Sequence, residues 1–220
     1  MLQIDHHVIA FDFPGCGKSP VPPVALSVED QVQIVIQVAK AFELSTFGIV
    51  GHSNGGRVGL ELAPRKESGI DISFLALISP SGIRRKRSAS FYVKSWTARI
   101  LKAPFLVLPA GAKDFCLDWL RHSLVWKMLG SSDYRALEGV MRETFVLTVN
   151  HYLDEVLPLV NCPVLLFRGT NDDAVSSEQI KKMADLLPDA GIYEIEGAGH
   201  FAHIDDPSVI LDGIAELARK

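Results

Sequence analysis

The most constraining feature of this sequence is a serine with a glycine two residues away on either side, placed between an apolar run and a helical run. Residues 47–50 are apolar and predict a buried strand, residues 51–55 read GHSNG, and the following residues have helical periodicity as far as Pro64. The pattern G-x-S-x-G in this setting is typical of a sharp, strained turn that exposes a nucleophile at the end of a strand. Ser53 is therefore predicted to be a nucleophile at a helix N-terminus, where free N–H groups and the helix dipole favour a negative oxygen.

Gly51 and Gly55 are predicted to form the nucleophile elbow around this serine. We expect a side chain at either position to collide with the neighbouring strand and helix, and glycine avoids that collision. Steric exclusion is thus the predicted reason for both glycines.

A serine hydroxyl is a weak nucleophile, so the motif requires a base and a group that orients the base. The apolar run at residues 164–167 leads into a loop with an acid, Asp172, and a second strand-like run leads into a glycine-flanked histidine, His200. The chain order serine, aspartate, histidine is the order given for enzymes with this elbow, and it differs from the chymotrypsin and subtilisin orders. The sequence therefore predicts that Asp172 orients His200 as the base for Ser53. Asp173 competes for the role of the acid, and an Asx-type turn is the alternative explanation of the aspartate pair.

Together these motifs make the chain resemble the α/β-hydrolase superfamily over residues 8–220. Besides the elbow, the segments that carry the resemblance are residues 8–19, 169–172 and 197–201. Residues 79–83 and 130–134 further resemble a bacterial branch of esterase-like or C–C-bond hydrolases. The resemblance implies that Asp172, rather than Asp173, is the acid, because it matches the family's acid after Gly169.

Strand-like and helical runs alternate along much of the chain, which predicts an α/β protein with a doubly wound, mostly parallel sheet. Strands are predicted at residues 8–13, 47–50, 72–78 and 164–167 and from residue 192 toward His200, and predicted helices begin at residues 28, 54, 177 and 207. The alternation stops at residues 82–158, which are interpreted as a helical cap or lid inserted into a core of residues 1–81 and 159–220. The aromatic residues of this segment are expected to pack the cap and, in a few cases, to line the substrate pocket: Phe91, Tyr92, Trp96, Phe115, Trp119, Trp126 and Phe145.

The resemblance also implies parts that this sequence lacks. The family's first three strands, and the loop that supplies a second oxyanion donor, precede the strand at residues 8–13, where only seven residues stand. The third of those strands belongs between residues 8–13 and 47–50, so we expect the sheet to be open between them. The chain is therefore predicted to be an N-terminally truncated hydrolase that is poorly stable and weakly active if it is the whole product.

The composition of the chain limits which binding partners and which cellular compartment we expect. A formal net charge of −4 over 220 residues gives no reason to expect nucleic acid or an anionic membrane as a partner, and no apolar run is long enough to span a bilayer. Three widely spaced cysteines indicate no disulfide framework and suit a cytoplasmic protein. No cysteine–histidine cluster offers a metal site. The GCGKS run at residues 15–19 is not a phosphate loop, because Asp12 replaces its first glycine and prolines follow.

These observations predict a serine hydrolase that needs no cofactor. Ser53 would attack a carbonyl, His200 would take its proton, and the backbone N–H of Asn54 would donate to the oxyanion before an acyl-enzyme is hydrolysed. The expected substrate is a small molecule with an apolar portion, either a carboxylic ester or a compound cleaved at a C–C bond. Two alternatives stay open, namely a catalytically impaired or non-catalytic relative that binds or scaffolds, and a cofactor-free haloperoxidase-like enzyme.

Overall fold

The described part of the chain contains a sheet of four parallel strands. The computed structural model describes residues 6–66, 69–84, 96, 100 and 137–219. The strands are β1 (Thr46–His52), β2 (Asp71–Ile78), β3 (Val164–Gly169) and β4 (Ala190–Ile195), and they lie side by side in chain order. Each neighbouring pair is parallel. The predicted α/β fold with a parallel sheet is therefore confirmed.

Helices connect and cover these strands. In the described part of the chain they are α1 (Val28–Ala41), α2 (Asn54–Leu62), α3 (Gly139–Val149), α4 (Ser177–Leu186), α5 (Ala202–Asp205) and α6 (Pro207–Leu217), with a 3-10 turn at Leu157–Leu159. None of the described helices is both long and apolar enough to cross a bilayer.

Two of these helices begin with a capping box. At the start of α1, the Ser27 hydroxyl accepts a hydrogen bond from the backbone N–H of Asp30 at 3.1 Å, and the Asp30 carboxylate accepts one from the N–H of Ser27 at 2.8 Å. Ser176 and Gln179 exchange the same pair of bonds at the start of α4. Reciprocal caps satisfy N–H groups that a helix start otherwise leaves unpaired, so these starts are encoded locally.

The two central strands are buried on both faces, which explains their continuous apolar sequence. Alternate side chains face opposite layers of helices, with α1, α2 and α4 on one side and α5 and α6 on the other. The first core contains Leu75, Leu77, Val164 and Leu166 of the sheet, and the second contains Ala76, Ile78, Leu165 and Phe167. Helices on both faces are the predicted doubly wound arrangement.

The strand predicted at residues 8–13 is wrong. Within the described residues β1 pairs with β2 alone, and residues 8–13 form no strand. A cavity of about 430 Å³ lies between that segment and β1, and apolar side chains of α1 and α2 complete its walls. An apolar run becomes a strand only where a neighbour takes up its N–H and C=O groups, and here the cavity occupies the neighbour's place. The opening that we expected in the sheet coincides with this cavity.

The chain divides into two compact units, one of Met1–Arg84 with Glu143–Lys220 and one of Arg85–Arg142. The first unit contains the whole sheet, and the second falls within the predicted cap at residues 82–158. Most of the second unit lies outside the described residues, as do the aromatic residues Phe91, Tyr92, Phe115, Trp119 and Trp126. Of the other two aromatic residues assigned to the cap, Trp96 is exposed and Phe145 is half-buried in α3.

Candidate active site

Ser53 occupies a strained turn between β1 and α2. Its backbone has φ 50° and ψ −107°, a combination that costs a non-glycine residue on the order of 1–3 kcal/mol. Hydrogen bonds to the segment at and after the end of β2 hold this conformation: the Ser53 N–H donates to the Ile78 carbonyl at 2.9 Å, and the Ser81 N–H donates to the Ser53 carbonyl at 3.2 Å. The strand–turn–helix element predicted around Ser53 is thus formed, with Ser53 preceding the first residue of α2.

The two glycines of the motif differ in their surroundings. A Cβ on Gly51 would lie 2.7 Å from the carbonyl carbon of Gly55 and from the nitrogen of Gly56, so the turn closes only without that side chain. A Cβ on Gly55 would meet nothing within 4 Å. The predicted steric reason for Gly55 is therefore wrong. Gly55 lines the cavity beside β1, so the space in which a neighbouring strand would oppose it is empty.

A chain of three hydrogen-bonded polar side chains holds the start of α2. The Asn54 side-chain amide donates to Gln31 at 2.6 Å, and the Gln31 amide donates to the Thr148 hydroxyl at 3.2 Å. These bonds join α2 to α1 and α3 directly beside Ser53. The backbone N–H of Asn54 has no acceptor among the described residues, which leaves it available to an incoming negative oxygen.

Asp172 and His200 meet at the carboxyl ends of β3 and β4. The Nδ1 atom of His200 lies 3.1 Å and 3.2 Å from the two carboxylate oxygens of Asp172. The Asp172 side chain is fully buried, whereas His200 keeps 23% of its side-chain surface exposed. Asp173, the rival acid, is exposed. The structure therefore pairs His200 with Asp172 and leaves the opposite ring atom, Nε2, for a substrate or nucleophile.

The Asp172 carboxylate also closes the turn that we considered as its alternative explanation. One of its oxygens accepts the backbone N–H groups of Ala174 at 2.8 Å and Val175 at 2.9 Å. Burial raises the pKa of this carboxyl, but the nearby Ser79 hydroxyl, the bonds from Val175 and Ala174, and His200 lower it, and the net pKa is lowered. The Asx-type turn and the histidine contact therefore coexist, and both favour the ionised carboxylate.

Among the described residues, the Ser53 hydroxyl is not hydrogen-bonded to His200. The nearest link is His52, the residue before Ser53, whose ring centroid lies 4.8 Å from that of His200. The structure thus brings Asp172 and His200 together and holds the residue adjacent to Ser53 against the histidine ring.

Several residues at this site were not predicted from sequence. Ser79, directly after β2, is fully buried with φ 45°; its hydroxyl has no hydrogen-bond partner among the described residues, but it lies close enough to Asp172 to lower the pKa of that carboxyl. Its position at the carboxyl end of a predicted strand is a signal that could have identified it. Gln31 lies inside a helical run far from the motif, and nothing in the sequence singles it out. Nor does any group of three or more histidine, cysteine or acidic side chains among the described residues form a potential metal site.

Comparison with known proteins places this geometry in context. A family profile described as "Alpha/beta hydrolase family" matches residues 2–212. A protein of Pseudomonas syringae named "Putative carbamate hydrolase RutD" is 26% identical, and the match covers 94% of this chain and 81% of that protein. This relative and the profile extend along nearly the whole chain rather than over the serine motif alone.

Solved structures resemble the chain over a similar extent. The esterase EaEST from Exiguobacterium antarcticum superposes with a TM-score of 0.65 at 15% identity, covering 95% of this chain and 80% of its own. The enol-lactonase from Burkholderia xenovorans gives a TM-score of 0.63 at 19% identity, covering 94% and 78%. At these identities the likeness establishes the fold.

Proposed function

This chain belongs to the α/β hydrolase family, and we propose from that premise that it is a serine hydrolase with Ser53 as nucleophile, His200 as base and Asp172 as the acid that orients His200. The observation that supports this assignment most directly is the buried Asp172 carboxylate at 3.1 Å from His200 Nδ1. A carboxylate at Nδ1 keeps the proton on that nitrogen and leaves Nε2 free to accept one. The strained turn at Ser53 also follows the carboxyl end of a parallel strand, which supports Ser53 as the third group.

In the proposed reaction the Ser53 oxygen attacks a carbonyl carbon while its proton passes to His200 Nε2. The resulting oxyanion accepts a hydrogen bond from the Asn54 N–H at the start of α2. When the tetrahedral intermediate collapses, His200 returns the proton to the leaving group. Water then attacks the acyl-enzyme with His200 again as base, and Ser53 regains its proton.

The proposed substrates are small carbonyl compounds with an apolar portion, either carboxylic esters or compounds cleaved at a C–C bond next to the carbonyl. Relatives named as an esterase, an enol-lactonase and a carbamate hydrolase support acyl chemistry in general. Both proposed bond types use the same attack at Ser53 and differ only in whether oxygen or carbon leaves.

A second function, that of a non-catalytic binding protein, is favoured by one observation. The Ser53 hydroxyl has no hydrogen bond to His200 within the described residues, and the elbow lies beside a cavity rather than a packed strand. A site that never closes this contact would bind carbonyl compounds without turning them over.

A fluorophosphonate probe separates the two functions, because it reacts only with an activated serine. We expect stoichiometric labelling at Ser53, located by mass spectrometry of the tryptic peptide, and none in Ser53→Ala. Ser45→Ala is the control, since it removes an exposed hydroxyl just before β1, away from the proposed triad. Absence of labelling in the folded wild-type protein would refute the hydrolase assignment. A labelled protein would then be assayed on acyl esters of graded chain length and on a vinylogous diketone acid to distinguish ester from C–C cleavage.

A further inference from the structure

A cluster of imidazole rings connects the turn after β1 with the loop after β4. The ring of His52 lies between His200 and His203, with ring centroids 4.8 Å away in both cases, and Phe201 covers it at 5.1 Å. The Nε2 atom of His52 lies 3.0 Å from the backbone carbonyl oxygen of His200. Among the described residues, no other hydrogen bond joins the turn around Ser53 to the loop around His200.

We propose that His52 is a positioning residue, whose Nε2–H bond to the His200 carbonyl sets the distance between the serine turn and the loop that carries the base. The inference rests on the proposed serine hydrolase function and adds a residue to it. His52 does not touch the reacting atoms in this proposal, since it acts through the backbone of His200.

The topology of the sheet explains why such a bond is needed. Ser53 follows β1 and His200 follows β4, and these strands lie at opposite edges of the four-stranded sheet with β2 and β3 between them. No strand pairing therefore relates the two turns directly. Each intervening strand can twist or shift slightly, and a misplacement of about 1 Å can cost on the order of 100-fold in rate. A direct bond between the turns removes this accumulated freedom.

Among the described residues, the other backbone hydrogen bonds of the loop around His200 lead away from β1. The Ala198 carbonyl accepts the Asn171 N–H at 2.9 Å, and the Gly199 N–H donates to Asp205 at 2.8 Å. The His200 side chain is held by Asp172, as described above. These contacts anchor the loop to β3 and α5, so the bond from His52 is the one that ties it to β1.

The protonation state of His52 suits this role. A carbonyl oxygen can only accept, so Nε2 must carry a proton and the neutral ring leaves Nδ1 unprotonated. Burial lowers the pKa of His52 and the neighbouring His200 and His203 lower it further, while the His200 carbonyl and Asp172 act in the opposite sense; the net pKa is lowered. His52 thus remains neutral when His200 becomes a cation, and it adds no repulsive charge beside it.

The test compares three replacements of His52 with one of its neighbour. His52→Gln keeps an N–H donor near the position of Nε2, His52→Asn moves the donor back to the position of Nδ1, and His52→Phe keeps the ring without a donor. His203→Phe is the matched control, because it makes the same exchange of imidazole for phenyl at the other histidine ring beside His52, whose Nδ1 has no partner among the described residues. The readouts are the second-order rate of fluorophosphonate labelling at Ser53 and the hydrogen–deuterium exchange of the peptide at residues 197–204.

We expect labelling of His52→Phe and His52→Asn to slow about tenfold, which is the effect of losing one hydrogen bond of about 1.4 kcal/mol. The exchange of residues 197–204 should rise in the same two variants. His52→Gln should stay within about threefold of wild type on both measures, and His203→Phe within about twofold. Rescue by glutamine but not by phenylalanine is a result that simple packing of the ring does not produce.

The proposal is overturned if His52→Phe labels at the wild-type rate, or if His52→Gln slows as much as His52→Phe while both remain folded by circular dichroism. If the wild-type protein is not labelled at all, the serine hydrolase assignment fails instead. The exchange data then decide the remaining claim, since unchanged protection of residues 197–204 in His52→Phe would refute any positioning by this bond.

Discussion

Replacing Asp172 tests whether the carboxylate orients the base or only closes a turn. One oxygen of Asp172 accepts the N–H groups of Ala174 and Val175 and lies 3.2 Å from His200 Nδ1, and the other oxygen lies 3.1 Å from it. In Asp172→Asn the carbonyl oxygen can keep both backbone bonds, while the amide directs an N–H at His200 Nδ1. That nitrogen must then accept, so the proton moves to Nε2 and His200 can no longer take a proton from Ser53. We expect labelling at Ser53 to fall on the order of 10³–10⁴-fold.

Asp172→Ala separates the structural role from the catalytic one. It removes both backbone bonds and leaves the buried Val175 N–H without a partner, for which we expect a loss of about 2–4 kcal/mol in the free energy of unfolding relative to Asp172→Asn. Urea unfolding of both variants measures this difference. An Asp172→Asn protein that reacts with the probe as fast as wild type would contradict the orienting role, and equal stability of the two variants would contradict the role in the turn.

The same carboxylate predicts a pH dependence. The pKa of Asp172 is lowered from its ordinary value of 3.8 in the folded protein, so the folded state favours the charged form. Its contribution to stability is therefore complete above about pH 4 to 5 and is lost as the pH falls through the lowered folded pKa. Wild type should lose stability more steeply than Asp172→Asn below about pH 4, as measured by urea midpoints at a series of pH values. Parallel curves would show that this carboxylate is not the group responsible.

Three further predictions follow from the elbow, the open strand edge and the buried thiol. Gly51→Ala should destabilise the protein by about 2 kcal/mol or more in urea unfolding, because its Cβ would lie 2.7 Å from backbone atoms. Gly55→Ala, whose Cβ meets open space inside a helix, should be neutral or stabilising by up to about 1 kcal/mol. The reverse order of stabilities would refute the steric assignment. Val50 is half exposed on β1, and the outer edge of β1 is unpaired among the described strands. Val50→Lys should therefore slow aggregation measured by light scattering, whereas Val21→Lys, at an exposed site outside any described strand, should not. Equal effects of the two substitutions would indicate that charge alone is responsible. Burial raises the pKa of the Cys162 thiol to about 11. Iodoacetamide at pH 8 should therefore modify Cys162 only after denaturation, as measured by peptide mass spectrometry. Modification of Cys162 in the folded protein would contradict its burial.

The local elements of the fold were largely predictable from sequence because their signals are local. The capping residues Ser27 and Asp30 indicate the start of α1, and the continuous apolar run of β2 predicts a strand that is buried on both faces. Residues 8–13 carry an equally apolar run and yet form no strand. The difference lies outside the run itself, since β2 has a neighbour on each side and residues 8–13 have none in the described structure.

The candidate site divides in the same way. Ser53, Asp172 and His200 could be named from motifs, because each motif combines a strand end with residue types that the chemistry demands. The prediction that a side chain at Gly55 would collide with its neighbours is wrong, because the space for a Cβ there depends on what lies beside β1. Asp172 could be chosen over Asp173 only by resemblance, whereas the structure separates them by burial and by the contact with His200.

By itself, then, the sequence determined which residue types stand at the ends of which strands, because strand, turn and cap preferences act over a few neighbouring residues. The tertiary structure alone decided how those ends face one another. It placed β1 and β4 at opposite edges of the sheet, opened a cavity beside β1, and brought His52 against the carbonyl of His200. Such contacts join residues 148 positions apart, and no short-range pattern encodes a distance across two intervening strands.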